Sequence, residues 1–463
     1  MPAYPESSSD IREPDLLLDP AFPYGEDLLQ FIWESGLYDQ EGLRTTDGDP
    51  LEVLRAGQVQ RNSGPDLNNA LVRIAGQTWA GTVEVHLRAS AWNEHGHQGD
   101  PAYDNVVLHA VYLHDADVHT CTGRRLPAVE LRGRIDLRNL RLHRELMEGR
   151  HGIPCAARIG EVDAGRIHLW TERLLVERLE RKVAGVEAVL RAAAHDPAEA
   201  LHRMLLRSLG GPVNAEAFAQ LGHALPLKLL LKYRDDPRRT EALLFGQAGF
   251  LERQHVDPYP SGLLQEYAGL RRLHGLRPMT ASTWKFGRLR PAGFPTVRLA
   301  QWAAVISRND QLLDALLNRD EPQGLRALLD VEAPAHWNHR YTLDGPPSAH
   351  ALPKRLGRVA ADGLLINALV PFLFAWGRIR GQHTWTDRAL HLLEQLPAEE
   401  NAVLRSWRSA GVRANTAGQG QALLELKERW CNERRCLQCA IGAALHRAAQ
   451  AEPASVPACP DRA

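Results

Sequence analysis

The hydrophobic pattern of this chain changes period along its length, and the change divides it. In Gly25–Gly36, GEDLLQFIWESG, residues Leu28, Leu29, Phe31 and Ile32 fall at helical spacing. Glu26 and Asp27 occupy the first turn, where the helix dipole favours negative charge. From Leu51 to Ile135 the runs LEVLRAG, NALVRIAG, TWAGTVEVHLRA, NVVLHAVYLHD and LPAVELRGRI are short and rich in Val, Leu and Ile. Turn residues separate them, so they predict strands, with a turn at Gly76-Gln77 between two neighbours. Beyond about Leu137 helical periodicity holds almost to the end, as in IHLWTERLLVERLERKVAGVEAVLRAAA, AEALHRMLLRSLG, RLAQWAAVISRNDQLLDALLN and GQALLELKERW. Breaks fall at Gly211-Pro212 and Gly345-Pro346, and no fixed-period repeat is present. The expectation is an α+β protein: a small mixed α/β head over residues 21–135, then a large all-α body over residues 136–448. A disordered leader, residues 1–20, and a disordered tail, residues 449–463, are expected on either side.

Composition narrows this only a little. At 463 residues the chain is long for one core, and 44% hydrophobic with 24% charged residues is ordinary for a globular protein. The formal net charge of −1 leaves no overall field to steer a polyanion, so contact with nucleic acid needs a local patch. No apolar run approaches the roughly 20 residues that span a bilayer, and Met1–Pro20 has no secretory apolar core. A cytoplasmic protein with no membrane partner is expected.

Candidate chemistry concentrates in the strand region. Gly64-Pro65-Asp66 opens one strand, Glu84-Val85-His86 lies on the next, and Trp92, His95, His97, Asp104 and His109 follow. Alternate residues of a strand share a face, so Glu84 and His86 project together. If the hairpin closes, Asp66 comes beside Glu84, and two adjacent carboxylates seat Mg or Mn. Such a metal polarises a phosphodiester and generates hydroxide from water. A second assignment is a zinc site drawn from His86, His95, His97 or His109 with Asp104. In a purely structural assignment, Asp66 caps a turn and Glu84 pairs with Arg73 or Arg88.

Pro65-Asp66 followed by Glu84-Val85-His86 resembles the Pro-Asp and Glu-x-Lys elements of the PD-(D/E)XK nuclease superfamily. The resemblance implies a restriction-endonuclease-like head with Asp66 and Glu84 as catalytic metal ligands. Glu34 would be the supporting glutamate on the preceding helix. His86 stands where that superfamily places lysine, which exchanges a permanent cation for a base or a further ligand. Over a longer span, from about Gly25 to Leu445, the segments NSGPDLNNA, GTVEVHLRASAW, EALLFGQAGFL, WKFGRLRPAGFPTVRLAQ and CNERRCLQCAIG are similar to a bacterial domain-of-unknown-function family. That similarity implies a common fold and no activity.

Two further features stand outside the head. Cys431, Cys436 and Cys439 have the C-x₄-C-x₂-C spacing of plant-type iron–sulfur ligation, with Cys155 as the expected fourth ligand and Cys459 in the tail. Zinc is the alternative metal, and buried small hydrophobes on a helix the metal-free one. Between Glu266 and Asp310 no acid occurs, while Arg271, Arg272, Arg277, Lys285, Arg288, Arg290, Arg298 and Arg308 do. Trp284, Phe286, Phe294 and Trp302 are interleaved. Lys285, Arg288, Arg290 and Arg298 are the expected nucleic-acid contacts, with the aromatics available to stack on bases. Together these readings predict a metal-dependent nuclease-like protein. A catalytically silent scaffold with structural metal centres and a histidine-based zinc hydrolase are the alternatives.

Overall fold

The computed structural model describes residues 24–60, 64–149, 152–309 and 311–451. The expected leader, Asp310 and Cys459 lie outside them. The chain forms two compact units, one of Met1–Ile167 with Trp430–Ala463 and one of His168–Arg429.

The first unit is built on the predicted strands. Helix α1 (Glu26–Ser35) buries Leu28, Leu29, Phe31, Ile32 and Trp33. Six strands follow: β1 (Leu51–Arg55), β2 (Gln58–Val59), β3 (Leu67–Ile74), β4 (Gln77–Arg88), β5 (Val106–Leu113) and β6 (Ala128–Glu130). Their order is β1-β3-β4-β5-β6, with β2 also paired to β3. Pairs involving β3 are antiparallel, whereas β4–β5 and β5–β6 are parallel, so the sheet is mixed. The β3–β4 turn sits one residue earlier than the sequence suggested. Ile74 pairs with Gln77, leaving Ala75 and Gly76 at φ +48° and +83°, the double positive φ of a tight hairpin.

Each strand alternates between two environments. Val83 and Val85 of β4 join Leu67, Leu108 and Ala110 in a core under the buried face of α1. Glu84 and His86, between and beyond them, point to the opposite face. A bulge interrupts β3 where it meets β4: Leu67 pairs with Val83 but Ala70 with Gly81. The extra residue, Asn69, has φ +58°. Bulges of this kind re-aim side chains and recur beside functional sites.

Helix α2 (Leu137–Glu148) completes the first unit together with the C-terminal helix Ala440–Ala451. Leu140 and Ala443 both enter the sheet core, and His446 Nδ1 lies 3.1 Å from Asn139 Oδ1. The head is therefore larger than residues 21–135. It runs to Ile167, and the cysteine segment belongs to it rather than to the helical body. The last helix also extends to Ala451, past the expected start of the tail.

The second unit begins within helix α3 (Ala164–Ala192) and is helical, around one large core that includes Phe218, Phe245, Trp302 and Phe372. Its segment Arg358–Arg380 is a helix long and apolar enough to cross a membrane by length and composition. In the fold 72% of its most apolar stretch is buried, as in the central helix of a packed bundle.

Candidate metal centre

Three chain segments meet on the sheet face opposite α1. β4 presents Glu84 and His86; they are 4% and 2% exposed. β5 brings His109, fully buried, opposite Glu84 in the parallel register. After β4 the chain turns back over this face. The turn is tied down at Ser90, whose N–H and hydroxyl both donate to the Asp115 carboxylate at 2.9 Å. A short helical turn, Ala91–Glu94, then leads to His95-Gly96-His97. Gly96 has φ +79°, a left-handed conformation that lets the chain reverse between the two imidazoles. Trp92 packs beneath, its indole N–H donating to the His119 carbonyl at 3.0 Å, and Tyr103 stacks on His97 at 3.8 Å between ring centroids.

The result is a convergent donor set. His86 Nε2 lies 3.2 Å from His95 Nδ1 and 3.5 Å from Glu84 Oε1. His97 Nε2 lies 3.4 Å from the same Glu84 oxygen. One ligand atom from each of His86, His95 and His97 falls within 4.8 Å of the other two. Donors arranged tetrahedrally at about 2.0–2.1 Å from one ion stand about 3.3 Å apart, so these separations match a shared ion. The remaining His86 nitrogen, Nδ1, is 2.9 Å from His109 Nε2. A ring held through Nδ1 in this way presents its other nitrogen, Nε2, toward His95 and Glu84. His95 is exposed, so the set opens to solvent on one side.

Asp66 lies in the bend immediately before β3, which begins at Leu67. Its backbone N–H donates to Glu84 Oε2 at 2.9 Å, and its own carboxylate accepts from Val85 N–H at 3.1 Å. The hairpin thus places Asp66 beside Glu84. Neither carboxylate makes the structural pair considered for Glu84: Arg73 bonds to Glu52, and Arg88 faces Asp115. Burial, then the Asp66 and Glu26 charges, push Glu84 up to about 8. Asp66 is raised mainly by burial and by Glu26, against hydrogen bonds from Val85 and Gln30. Burial and the neighbouring His95 and His97 drive His86 down to about 3, and burial holds His97 below its ordinary value too. A pocket that keeps imidazoles neutral and resists a lone carboxylate charge is suited to a cation.

Other expected residues fall elsewhere. Glu34 is exposed, and its carboxylate accepts from the Val59 N–H at 3.3 Å. The helix acid whose charge reaches both Asp66 and Glu84 is Glu26, at the opposite end of α1, where it also accepts from Leu87 N–H at 3.3 Å. Asp104 does not join the histidines; Cys121 Sγ donates to its carboxylate at 2.9 Å. In the second unit Lys285, Arg288 and Arg290 are exposed. Arg298 is largely buried, donating to Gln301 Oε1 at 3.0 Å, and burial lowers its pKa. The interleaved aromatics are packing groups. Trp284 and Trp302 are buried, the former against Phe218 and Phe250, and Phe286 meets Phe294 edge to face. Cys155, Cys431, Cys436 and Cys439 are all buried, and the last two stand in turns rather than on a helix.

A family model described as Protein of unknown function (DUF2851) matches residues 26–402. No curated protein and no solved structure matches the chain.

Proposed function

The chain belongs to the DUF2851 family; since that membership carries no activity, we propose from the donor set of its first unit that this unit is a metal-dependent phosphodiesterase acting on nucleic acid. The observation that carries the reading is the convergence of Glu84, His86, His95 and His97 at 3.2–3.5 Å with Asp66 hydrogen-bonded into the same corner. Three imidazoles and a carboxylate favour zinc or manganese over the Mg that two carboxylates alone would suggest. The metal would supply Lewis acidity and a hydroxide nucleophile at neutral pH.

The protein's own groups have separable tasks in this reading. His86, His95 and His97 would hold the ion, with Glu84 beside it, and His109 would fix the ring of His86. Asp66, oriented by Val85 N–H, stands next to the ligands and accepts a proton from the attacking water. The hydrogen bonds that join Asp66 to Glu84 and to Val85 N–H, and the acid on the preceding helix, support the likeness to the PD-(D/E)XK superfamily, with Glu26 in the place expected of Glu34. Within the second unit, Lys285, Arg288 and Arg290 are exposed on a stretch without acids, side chains of the kind that contact nucleic-acid phosphates.

The test is cleavage of labelled DNA and RNA by the full chain supplied with Mn²⁺ or Zn²⁺. Cleavage should disappear in Glu84→Gln and His97→Ala and fall in Asp66→Asn. Cleavage that survives all three, or none with any substrate, would overturn the enzymatic reading. A second reading, a structural metal centre in a catalytically silent protein, rests on the deep burial of Glu84, His86 and His109. It expects stoichiometric metal whose removal melts the sheet and leaves no hydrolysis to lose.

A further inference from the structure

We propose that Cys155, Cys431, Cys436 and Cys439 form a thiolate metal centre within the first unit, separate from the histidine centre. Four of the six cysteines of the chain are involved, and each is only 7–8% exposed. Cys155 is remote in sequence from the other three, yet the groups whose charge would act on its sulfur are Cys439 and Cys436, and Cys439 acts likewise on Cys436. The fold has brought the distant cysteine to the cluster.

The local backbone explains how. Helical structure stops at Cys431, and the chain reverses through Arg434 at φ +53°. A second turn follows, with Cys439 N–H donating to the Cys436 carbonyl at 3.2 Å, and the final helix starts at Ala440. Two successive reversals place Cys436 and Cys439 on one short irregular loop that starts after Cys431, the last helical residue. Cys155 lies on a comparable series of turns between α2 and α3. Arg434 locks the two regions together, donating to the carbonyls of Leu146 at 3.0 Å and Gly149 at 2.6 Å at the end of α2.

Buried sulfur alone is unremarkable, because cysteine packs as a small hydrophobe. What sets this group apart is its situation: four buried cysteines from two distant parts of the chain, on or next to irregular backbone, with the charge of Arg434 reaching one of them. The charge of Arg434 reaches Cys436, and Arg435 covers the Trp430 ring at 4.1 Å. Burial pushes both Cys155 and Cys436 up to about 12, so the metal-free group is thiol, and a bound cation would itself supply the charge that releases those protons. An ion or cluster at this point would tie the returning C-terminal segment to the loop after α2, as structural metals do in segments too irregular to hold themselves. Thiolate ligation serves both an iron–sulfur cluster and a four-cysteine zinc, and the C-x₄-C-x₂-C spacing is that of plant-type iron–sulfur ligation.

The experiment uses the full chain carrying His97→Ala, so that the histidine centre does not contribute and the two assignments fail separately. Purified anaerobically and supplied with iron and sulfide, or with zinc, it should hold one cluster with a brown chromophore, or one zinc, per chain. Cys155→Ser and Cys436→Ser should each lose that metal, whereas Cys121→Ser retains it. If those variants do not fold, the parent answers the question: chelation should make four additional thiols reactive. A chain that holds neither metal, a Cys155→Ser variant that keeps its full complement, or no gain of thiols on chelation would overturn the proposal.

Discussion

His109 bears on the proposed site without being one of its ligands. Its Nε2 is the partner of His86 Nδ1, and outer contacts of this type are worth about 10–100-fold in metal affinity. His109→Asn should weaken metal binding by that factor, measured by competition with a chromogenic chelator, without changing the stoichiometry. Glu84 and His86 also make a pH prediction for the metal-free protein. Glu84 keeps its proton in the folded state up to about 8, whereas the unfolded carboxyl loses it near its ordinary value of 4.5. Stability from this group is therefore present at low pH and lost as pH rises toward 8. His86, held down to about 3, acts in the opposite sense, costing stability as pH falls below 6.5. The two oppose each other between 4.5 and 6.5, so the net signature is a decline from about pH 6.5 to 8, of at most about 1.4 kcal/mol per pH unit. Denaturant midpoints in chelator should show it, and Glu84→Gln should remove it. At this scale the sequence was partly legible. Period-two alternation put Glu84 and His86 on one face and hairpin closure put Asp66 beside them. The choice between Glu26 and Glu34 was not legible, because both lie on one short helix and nothing in the chain says which end meets the sheet edge.

At the scale of elements, the site is a product of strand register. The bulge at Asn69 lets Leu67 pair with Val83 while Ala70 pairs with Gly81, which delivers Asp66 to the Glu84 side chain. Gly81 itself is a tight point. A Cβ there would lie 2.4 Å from the Asn105 carbonyl and 2.5 Å from Val107 Cγ1. Gly81→Ala should force β4 from β5 and cost about 1–3 kcal/mol, with loss of metal binding, because those strands carry Glu84 and His109. Gly96→Ala should behave differently. Nothing crowds its Cβ position, so the cost is confined to the positive φ, about 1 kcal/mol, and should appear as lowered metal affinity with little change in melting temperature. Strand positions were readable because Val, Leu and Ile runs bounded by turn residues have few other uses. The bulge was not, since Asn-Asn reads as an ordinary polar interruption until its partner strand is known. The aromatics of the body misled for a similar reason: Trp284 and Trp302 at irregular spacing look available, and only packing reveals them as core.

The whole molecule is interleaved in a way no local pattern announces. The first unit is assembled from the chain up to Ile167 and again from Trp430, with the whole second unit inserted between. Sequence periodicity marks helices but not which distant helix they join, so the pairing of α2 with Ala440–Ala451 was invisible. Deleting residues 430–463 should therefore damage the head and not the body. It removes Ala443 from the sheet core, His446 from Asn139 and Arg434 from the end of α2. Limited proteolysis should then cut within residues 24–167 while His168–Arg429 resists, and the histidine centre should lose its metal.

That insertion also sets a timetable during synthesis. A ribosome finishes every strand of the sheet early, then makes all of His168–Arg429 before the helix that covers α2 emerges. At about 5–20 residues per second the wait is on the order of tens of seconds. Throughout it the nascent head carries an uncovered apolar seam around Leu140, open to chaperones and to wrong partners. The segment that closes the head leaves the tunnel only after the whole second unit has been made.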